Sequence, residues 1–520
     1  MDGEKMQDLK TAISLLAMSQ WGKRSSLAPA VAFGGAALYL YVNLFASPRV
    51  PYLIGGDQSF FWVHAMRMLD GARIYVDFRE FTPPGTDLLF LSLFRAFGLR
   101  MWVTNIVVLG LGLALAWIVF SIARKFARLE SSMLAAAVFL VPIYGKALNA
   151  THHWFGTLAV LGAVRVVLTG RTTWRIALAG AILGLASFFS LYHGLAGLVA
   201  FWAFLLWESV HTQPRWAGVL RGQAVLFASY IVAMFLLYSH YLLMGIRIGQ
   251  IWYSQVTYVR EFAIDAYKGV ELIIPRPITL HNLPVLSDYF IVYLLLTAAT
   301  GGAAYFCWRR RKAGGSSESA LLLVLVAVLL FAEVAVSPNW LRIYAVSAPA
   351  VILLAWVIDE LPKGRVCVSL VLWCWILVLG THQTLSHHRM QREVIDLPAG
   401  RVATTQQMAA KLSLVSQFVK PGDAVFQAAW PGVYLPLHVR IPLPVDSVGL
   451  ASLRGPGDIP FVVQQLEEQR VPYVLWATQL DASCSSPCID RLTPLRNYVR
   501  AEYAPVATTP DGDTLWRRHP

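Results

Sequence analysis

TDLLFLSLFRAFG (86–98) is the stretch on which the topology of this chain turns. As a helix its thirteen residues rise about 20 Å, short of the roughly 30 Å that a hydrocarbon core requires. It also carries Arg95 and directly follows Pro83-Pro84-Gly85. Counted as a membrane span, it would reverse the sidedness of every later connection. Laid flat on the membrane face as an amphipathic helix, it leaves the charge pattern of the chain intact. We read it as a surface helix, which makes 50–100 one large outer loop.

Working outward, apolar runs lie near 27–46, 101–123, 131–148, 154–169, 175–192, 194–208, 222–244, 286–307, 320–336, 343–358 and 365–381, about eleven in all. Basic residues fall at every second connection: Lys23 and Arg24, RKFAR (124–128), Arg171 and Arg175, Arg215 and Arg221, RRRK (309–312) and KGR (363–365). Positive charge next to apolar runs marks the cytoplasmic side. The expected fold is a polytopic α-helical membrane protein with residues 1–26 in the cytoplasm, a transmembrane domain over 27–385, and residues 386–520 outside. The first run lacks a short apolar core with a small-residue cleavage site, so it reads as an anchor.

Composition agrees. The 520 residues are 57% hydrophobic and only 14% charged, where a soluble protein carries roughly a quarter charged residues. The net charge of +13 sits largely in short clusters between apolar runs. It therefore points to membrane lipids and orientation, not to nucleic acid. From about 400 the pattern changes to alternating helix and strand: helix 402–419, strand 424–428, helix 459–469, strand 471–477, helix 489–502, and short strands near 504–508 and 513–517. That alternation predicts a small α/β layer. Cys307, Cys367 and Cys374 lie in apolar runs as packing residues. Cys484 and Cys488, in DASCSSPCID, suit a disulfide if this region is outside the cytoplasm. A zinc pair is the alternative, but no second ligand pair lies nearby.

The chemistry-bearing stretch is GGDQSFFWVHAMRMLDGARIYVDFREFTPPGTDLLF (55–90). Asp57 follows a glycine pair and opens an aromatic helix, so it reads either as an N-cap or as a base facing a groove at the membrane surface. Arg67, Arg73 and Arg79 read as cations at lipid headgroups, or as helpers in anion binding. His64, on the same aromatic helix, is a further possible cavity residue. His152, His153, His193 and His240 fall at the outer ends of apolar runs, where they can line one cavity, but no ligand spacing marks a metal site. Glu333 lies inside an apolar run, where a carboxylate costs roughly 2.5 kcal/mol or more unless it faces the interior or a wet cavity.

The order of first span, early loop Asp, an LL–DG–x–x–Y–x–D–F pattern and PPG resembles the GT-C superfamily of membrane glycosyltransferases. Its branch of protein O-mannosyltransferases and lipid A aminoarabinose transferases is the one resembled. A second stretch, NWLRIYAVSAP (339–349), is similar to that family's RY–L–P element at the outer start of a late span. The resemblance implies that Asp57 is catalytic, and that Arg342, with Tyr344 beside it, lies near the phosphate of the donor. It implies transfer of a sugar from a polyprenyl-phosphate-linked donor to a glycan, lipid or protein acceptor, with no cofactor. The polyprenyl phosphate leaves as a stable anion, so one base and one cation suffice, unlike the two carboxylates of glycoside hydrolysis. The chain departs from the family at the outer turn after the third run, where Asn149-Ala150-Thr151-His152-His153-Trp154 replaces a second acidic residue. A lysine at the outer end of the fifth run gives way to Tyr192 or His193. The rival readings are a transporter or flippase of a lipid-linked solute, and a scaffold that displays the C-terminal domain. Neither repeated halves nor a matched pair of broken helices supports the transporter.

Overall fold

A computed structural model of the protein describes residues 27–212, 216–263, 288, 289, 291, 296–312, 318–336, 338–361, 363–448, 457–481 and 490–520. Cys484 and Cys488 lie outside the described residues. Each apolar run has become a helix wherever it is described. The chain opens with α1 (Leu27–Leu44) and a short antiparallel hairpin, β1 (Phe45–Ser47) and β2 (Val50–Pro51). The outer loop then folds into α2 (Gln58–Leu69) and α3 (Gly85–Phe97). The decisive run is thus one thirteen-residue helix, ended by Gly98 at a φ of 76°.

The bundle proper begins with α4 (Met101–Ala123) and α5 (Leu129–Ala147). It continues with α6 (His152–Val167), α7 (Thr173–Phe189), α8 (Leu191–Thr212) and α9 (Trp216–Leu243). After α10 (Ile248–Trp252) come α11 (Leu296–Lys312), α12 (Glu318–Val334), α13 (Trp340–Val346), α14 (Ala348–Glu360) and α15 (Arg365–Met390). Six of these helices are long and apolar enough to cross a bilayer, and α13 with α14, bent by 53°, form a seventh unit of that kind. This is an integral membrane protein. The expected count of about eleven spans is not established by these lengths, since α6, α7, α11 and α12 are shorter.

Within the bundle, helices meet through small residues, as apolar packing in lipid requires. Gly180 and Gly184 on α7 face α9, and a Cβ on Gly180 would stand 2.4 Å from the Leu226 carbonyl. Pro142 cannot donate to the helix, and α5 widens into a π-turn over Phe139–Tyr144 around it. That turn swings Tyr144 inward, where its hydroxyl donates to the Val108 carbonyl at 2.7 Å.

Beyond α15 the chain forms an antiparallel hairpin, β3 (Glu393–Leu397) with β4 (Gly400–Thr404). Residues 402–404, expected to begin a helix, belong to β4, and α16 (Gln406–Val415) starts only where Thr405 caps it. Five consecutive residue pairs across the Pro398-Ala399 turn hold Val402 and Ala403 extended. The remaining elements are β5 (Val425–Gln427), α17 (Tyr434–Leu437), α18 (Asp458–Glu468), β6 (Tyr473–Trp476), α19 (Thr493–Glu502), β7 (Tyr503–Thr508) and β8 (Thr514–Arg518). They build a four-stranded sheet in the order β5-β6-β8-β7, with β5 and β6 parallel and the other pairs antiparallel. This region sits directly on the outer loop. The Leu53 amide donates to Ala403 at 2.8 Å, the Met101 amide to Ala399 at 3.1 Å, and the Arg79 amide to Pro444 at 2.9 Å. One apolar core runs from the helices into Val402, Leu412, Val425 and Leu475.

Candidate functional site

Between the outer loop, the bundle and the C-terminal region lies a cavity of about 940 Å³. Asp57, His152, His153 and Arg342 all line it, so four residues singled out in the sequence converge from three separate segments. Each is placed by local chemistry. Asp57 stands at the start of α2, half-buried, and its side chain makes no capping hydrogen bond. The next residue anchors the turn: Gln58 accepts from the Ala150 amide at 3.0 Å and donates to the Ile54 carbonyl at 3.1 Å. Asn149 accepts from the Trp154 indole at 2.8 Å. The 149–151 turn is thereby tied to α2, and His152 and His153 open α6 at the cavity wall. Arg342 falls in the first turn of α13, whose start is fixed by the Asn339 side chain accepting from the Arg342 amide at 2.9 Å.

The electrostatics single out Asp57. Burial pushes its carboxyl above the ordinary aspartate range, and the Arg342 guanidinium pulls it part of the way back. A carboxylate raised in this way holds a proton more readily than a solvated one, which is the property of a general base.

Of the other expected site residues Arg79 also lines the cavity, and the rest lie elsewhere. His193 is buried behind His153, with ring centroids 5.2 Å apart, and its Nδ1 lies 3.2 Å from a Glu333 oxygen. Neither His193 nor Glu333 lines the cavity. Tyr344 points inward, its hydroxyl donating to Asp288, whose carboxylate also pairs with Lys146. Arg67, Arg73 and Arg79 pair with Asp446, Asp77 and Asp458, respectively, the first buried and the other two largely exposed.

At the cavity wall, where Glu80 and Asp446 line it, is a cluster that the sequence did not reveal. His64 Nδ1 is 2.9 Å from Asp87, and its Nε2 is 2.6 Å from Asp446 and 3.0 Å from Glu80. Arg67, one turn along α2, is 2.9 Å from the other Asp446 oxygen and donates to the Val445 carbonyl at 3.1 Å. Burial disfavours a charged imidazole, but Asp446, Glu80 and Asp87 together outweigh it and hold His64 well above its usual range. Burial likewise pushes Glu80 up to about 7. Asp446, although buried, is held low by His64 and Arg67. His64, Glu80 and Asp446 are the one group among the described residues with donor atoms spaced to hold a metal ion, all within 4.8 Å. The 2.6 Å contact from His64 to Asp446 is that of a charge-assisted hydrogen bond. Asp446 is 382 residues from His64, and no local pattern announces such a pair.

No family model matches the chain, and no curated protein matches it in sequence. Among solved structures it is similar to ArnT from Cupriavidus metallidurans bound to undecaprenyl phosphate, with a TM-score of 0.59 and 14% identity, over 94% of this chain and 98% of that one. It is also similar to the oligosaccharyltransferase of Archaeoglobus fulgidus in complex with Zn and sulfate, with a TM-score of 0.55 and 13% identity, over 94% of this chain and 73% of that one. A third likeness is to AglB of the same organism in complex with an inhibitory peptide and a dolichol-phosphate, with a TM-score of 0.53 and 13% identity, over 86% of this chain and 69% of that one. At these identities the likeness is one of fold. The chain shares the fold of these proteins, the GT-C fold that the resemblance of its 50–100 loop and its NWLRIYAVSAP element implied.

Proposed function

We propose that this protein transfers a sugar from a polyprenyl-phosphate-linked donor to an acceptor hydroxyl at the outer face of the membrane, with inversion at the sugar. Asp57 takes the proton of the acceptor hydroxyl as that oxygen attacks the anomeric carbon. The bond from the anomeric carbon to the phosphate oxygen breaks, and the polyprenyl phosphate leaves with the electron pair. Arg342 stabilises that departing anion by charged hydrogen bonds. The observation that carries this reading is a raised carboxyl and a guanidinium on one cavity wall, the carboxyl unused as a helix cap. Undecaprenyl phosphate and dolichol-phosphate bound to proteins of the same fold support the donor class. Purified protein incubated with a polyprenyl-phosphate-linked sugar and an envelope extract tests it directly: mass spectrometry then finds a new glycosylated product only when active protein is present.

A transporter of this size calls for paired broken helices at matching positions. Among the described residues there is one bent pair, at α13 and α14. The enzyme reading therefore stands first.

Two expected results follow. Lysine at position 342 keeps the charge but loses the planar, two-pronged contact, so Arg342→Lys slows transfer about tenfold or more. Initial rates at saturating acceptor measure it, and a rate within about twofold of wild type removes Arg342 from phosphate binding. The second concerns orientation, which rests on charge alternation and an odd number of spans. A reporter fused after residue 390 is active outside the cytoplasm, and one fused within 309–316 is active inside. Two reporters on one side would contradict the topology.

A further inference from the structure

Part of the cavity wall comes from the C-terminal sheet, through a particular part of it. Ala429 and Trp430 follow β5, Gln479 and Leu480 follow β6, and all four line the cavity. These two strands are the parallel pair of the sheet. Open α/β layers bind small ligands in the crevice beyond the carboxyl ends of such strands. Here that crevice opens onto Asp57.

The turn after β5 is held in an unusual shape. Ala429 has a φ of 82°, a left-handed conformation that is strained for a non-glycine residue. Backbone bonds on both sides keep it there: the Ala428 amide donates to Leu475 at 2.9 Å, the Ala429 amide to Val448 at 3.1 Å, and the Gly432 amide to the Trp430 carbonyl at 2.8 Å. The result presents Trp430 to the cavity with half of its surface exposed (50%), its ring 5.4 Å from that of Phe60. Phe60 lies three residues after Asp57, on the same face of α2. Phe461 adds a third ring, capped by Arg79 at 5.2 Å. The exposed Gln479 amide stands at the mouth.

We propose that Ala429 and Trp430 after β5, with Gln479 and Leu480 after β6, form the acceptor subsite, with Trp430 as the platform for a sugar ring, so that the acceptor hydroxyl belongs to a glycan. A sugar ring has a flat face of C–H groups and a rim of hydroxyls. Aromatic rings cover the face while a few neutral polar groups meet the rim. An extended peptide would instead pair with an open sheet edge. The free side of β5 is already covered, because the Val425 amide donates to Arg440 at 3.1 Å and the Arg440 amide to Asp423 at 2.8 Å.

The inference rests on the proposed transfer reaction for the place of the acceptor beside Asp57, and the test separates the two. Full-length protein in lipid nanodiscs is applied to an array of immobilised oligosaccharides and serine- or threonine-containing peptides. Undecaprenyl phosphate is titrated separately as the donor-side probe. Wild type and Asp57→Asn bind oligosaccharides in preference to peptides. Trp430→Ala weakens that binding at least about tenfold, Trp430→Phe keeps most of it, and undecaprenyl phosphate binding is the same in all four proteins. Unchanged oligosaccharide binding by Trp430→Ala, or a wild type that prefers peptides, overturns the glycan subsite and leaves the donor side intact. A wild type that binds no undecaprenyl phosphate removes the transferase reading itself.

Discussion

Asp57→Asn protein is expected to insert and fold like wild type, to bind the donor, and to transfer sugar at least about a hundredfold more slowly. The substitution keeps the shape of the side chain and an oxygen able to cap α2, and Asn caps about as well as Asp. It removes only the ability to accept a proton as a carboxylate. General-base catalysis contributes roughly a hundredfold or more, so the rate falls by that amount while folding is untouched. The structure sharpens the contrast, because the Asp57 side chain makes no capping bond that the variant would have to preserve. The same residue predicts the acid limb of the pH profile. On the proposed mechanism activity requires Asp57 ionised, and burial raises its pKa above the ordinary aspartate range. Transfer is therefore lost as pH falls through that raised value, at a higher pH than a solvated aspartate would give. Rates measured from pH 4 to 8 in the wild type locate the limb. Near-normal transfer by the Asn variant removes Asp57 as base.

Much of the bundle was legible because the bilayer simplifies the problem. A run of about twenty apolar residues has little choice but to be helical when no water can satisfy its backbone. The 86–98 run was legible for the same reason, since its length excluded it from crossing. Asp57, His152, His153 and Arg342 could be named singly from local signals: a glycine pair, a histidine pair and a resembled element. The β3–β4 hairpin was missed although EVIDLPAGRVATT carries strand-forming residues around a turn, because the helical pattern after Thr405 was extended back over it. The partners of Arg67 and Tyr344 were not legible at all. Asp446 and Asp288 meet them only through long-range packing. A single sequence read in windows carries no register for such pairs, and an arginine near a membrane surface looks the same whether it faces lipid or a buried carboxylate.

The second large effect lies in that illegible part. His64→Leu protein loses about 3–5 kcal/mol of stability, the cost of leaving buried charges without their partner. In the wild type His64 is 1% exposed and touches Asp87, Glu80 and Asp446, while Arg67 reaches only Asp446. A leucine of similar bulk leaves Asp87 with an oxygen facing an apolar wall and no cation. Asp446 keeps Arg67 alone. The damage is not local, because Asp446 belongs to the C-terminal region and His64 to the outer loop, and this contact helps close one end of the cavity. The loosened junction should therefore be cut by protease near 440–448 while α4 to α9 stay protected. Thermal unfolding in detergent shows the loss as a lowered midpoint. A second variant distinguishes lost charge balance from lost packing. His64→Leu combined with Asp87→Leu removes a fully buried carboxylate whose cation is His64, so it regains part of the stability that His64→Leu loses. Non-additivity of that sign is the signature of a pair in direct contact. If the double variant is less stable than His64→Leu alone, Asp87 is held by something other than His64. The cluster would then be a set of separate hydrogen bonds and not a clasp between loop and domain.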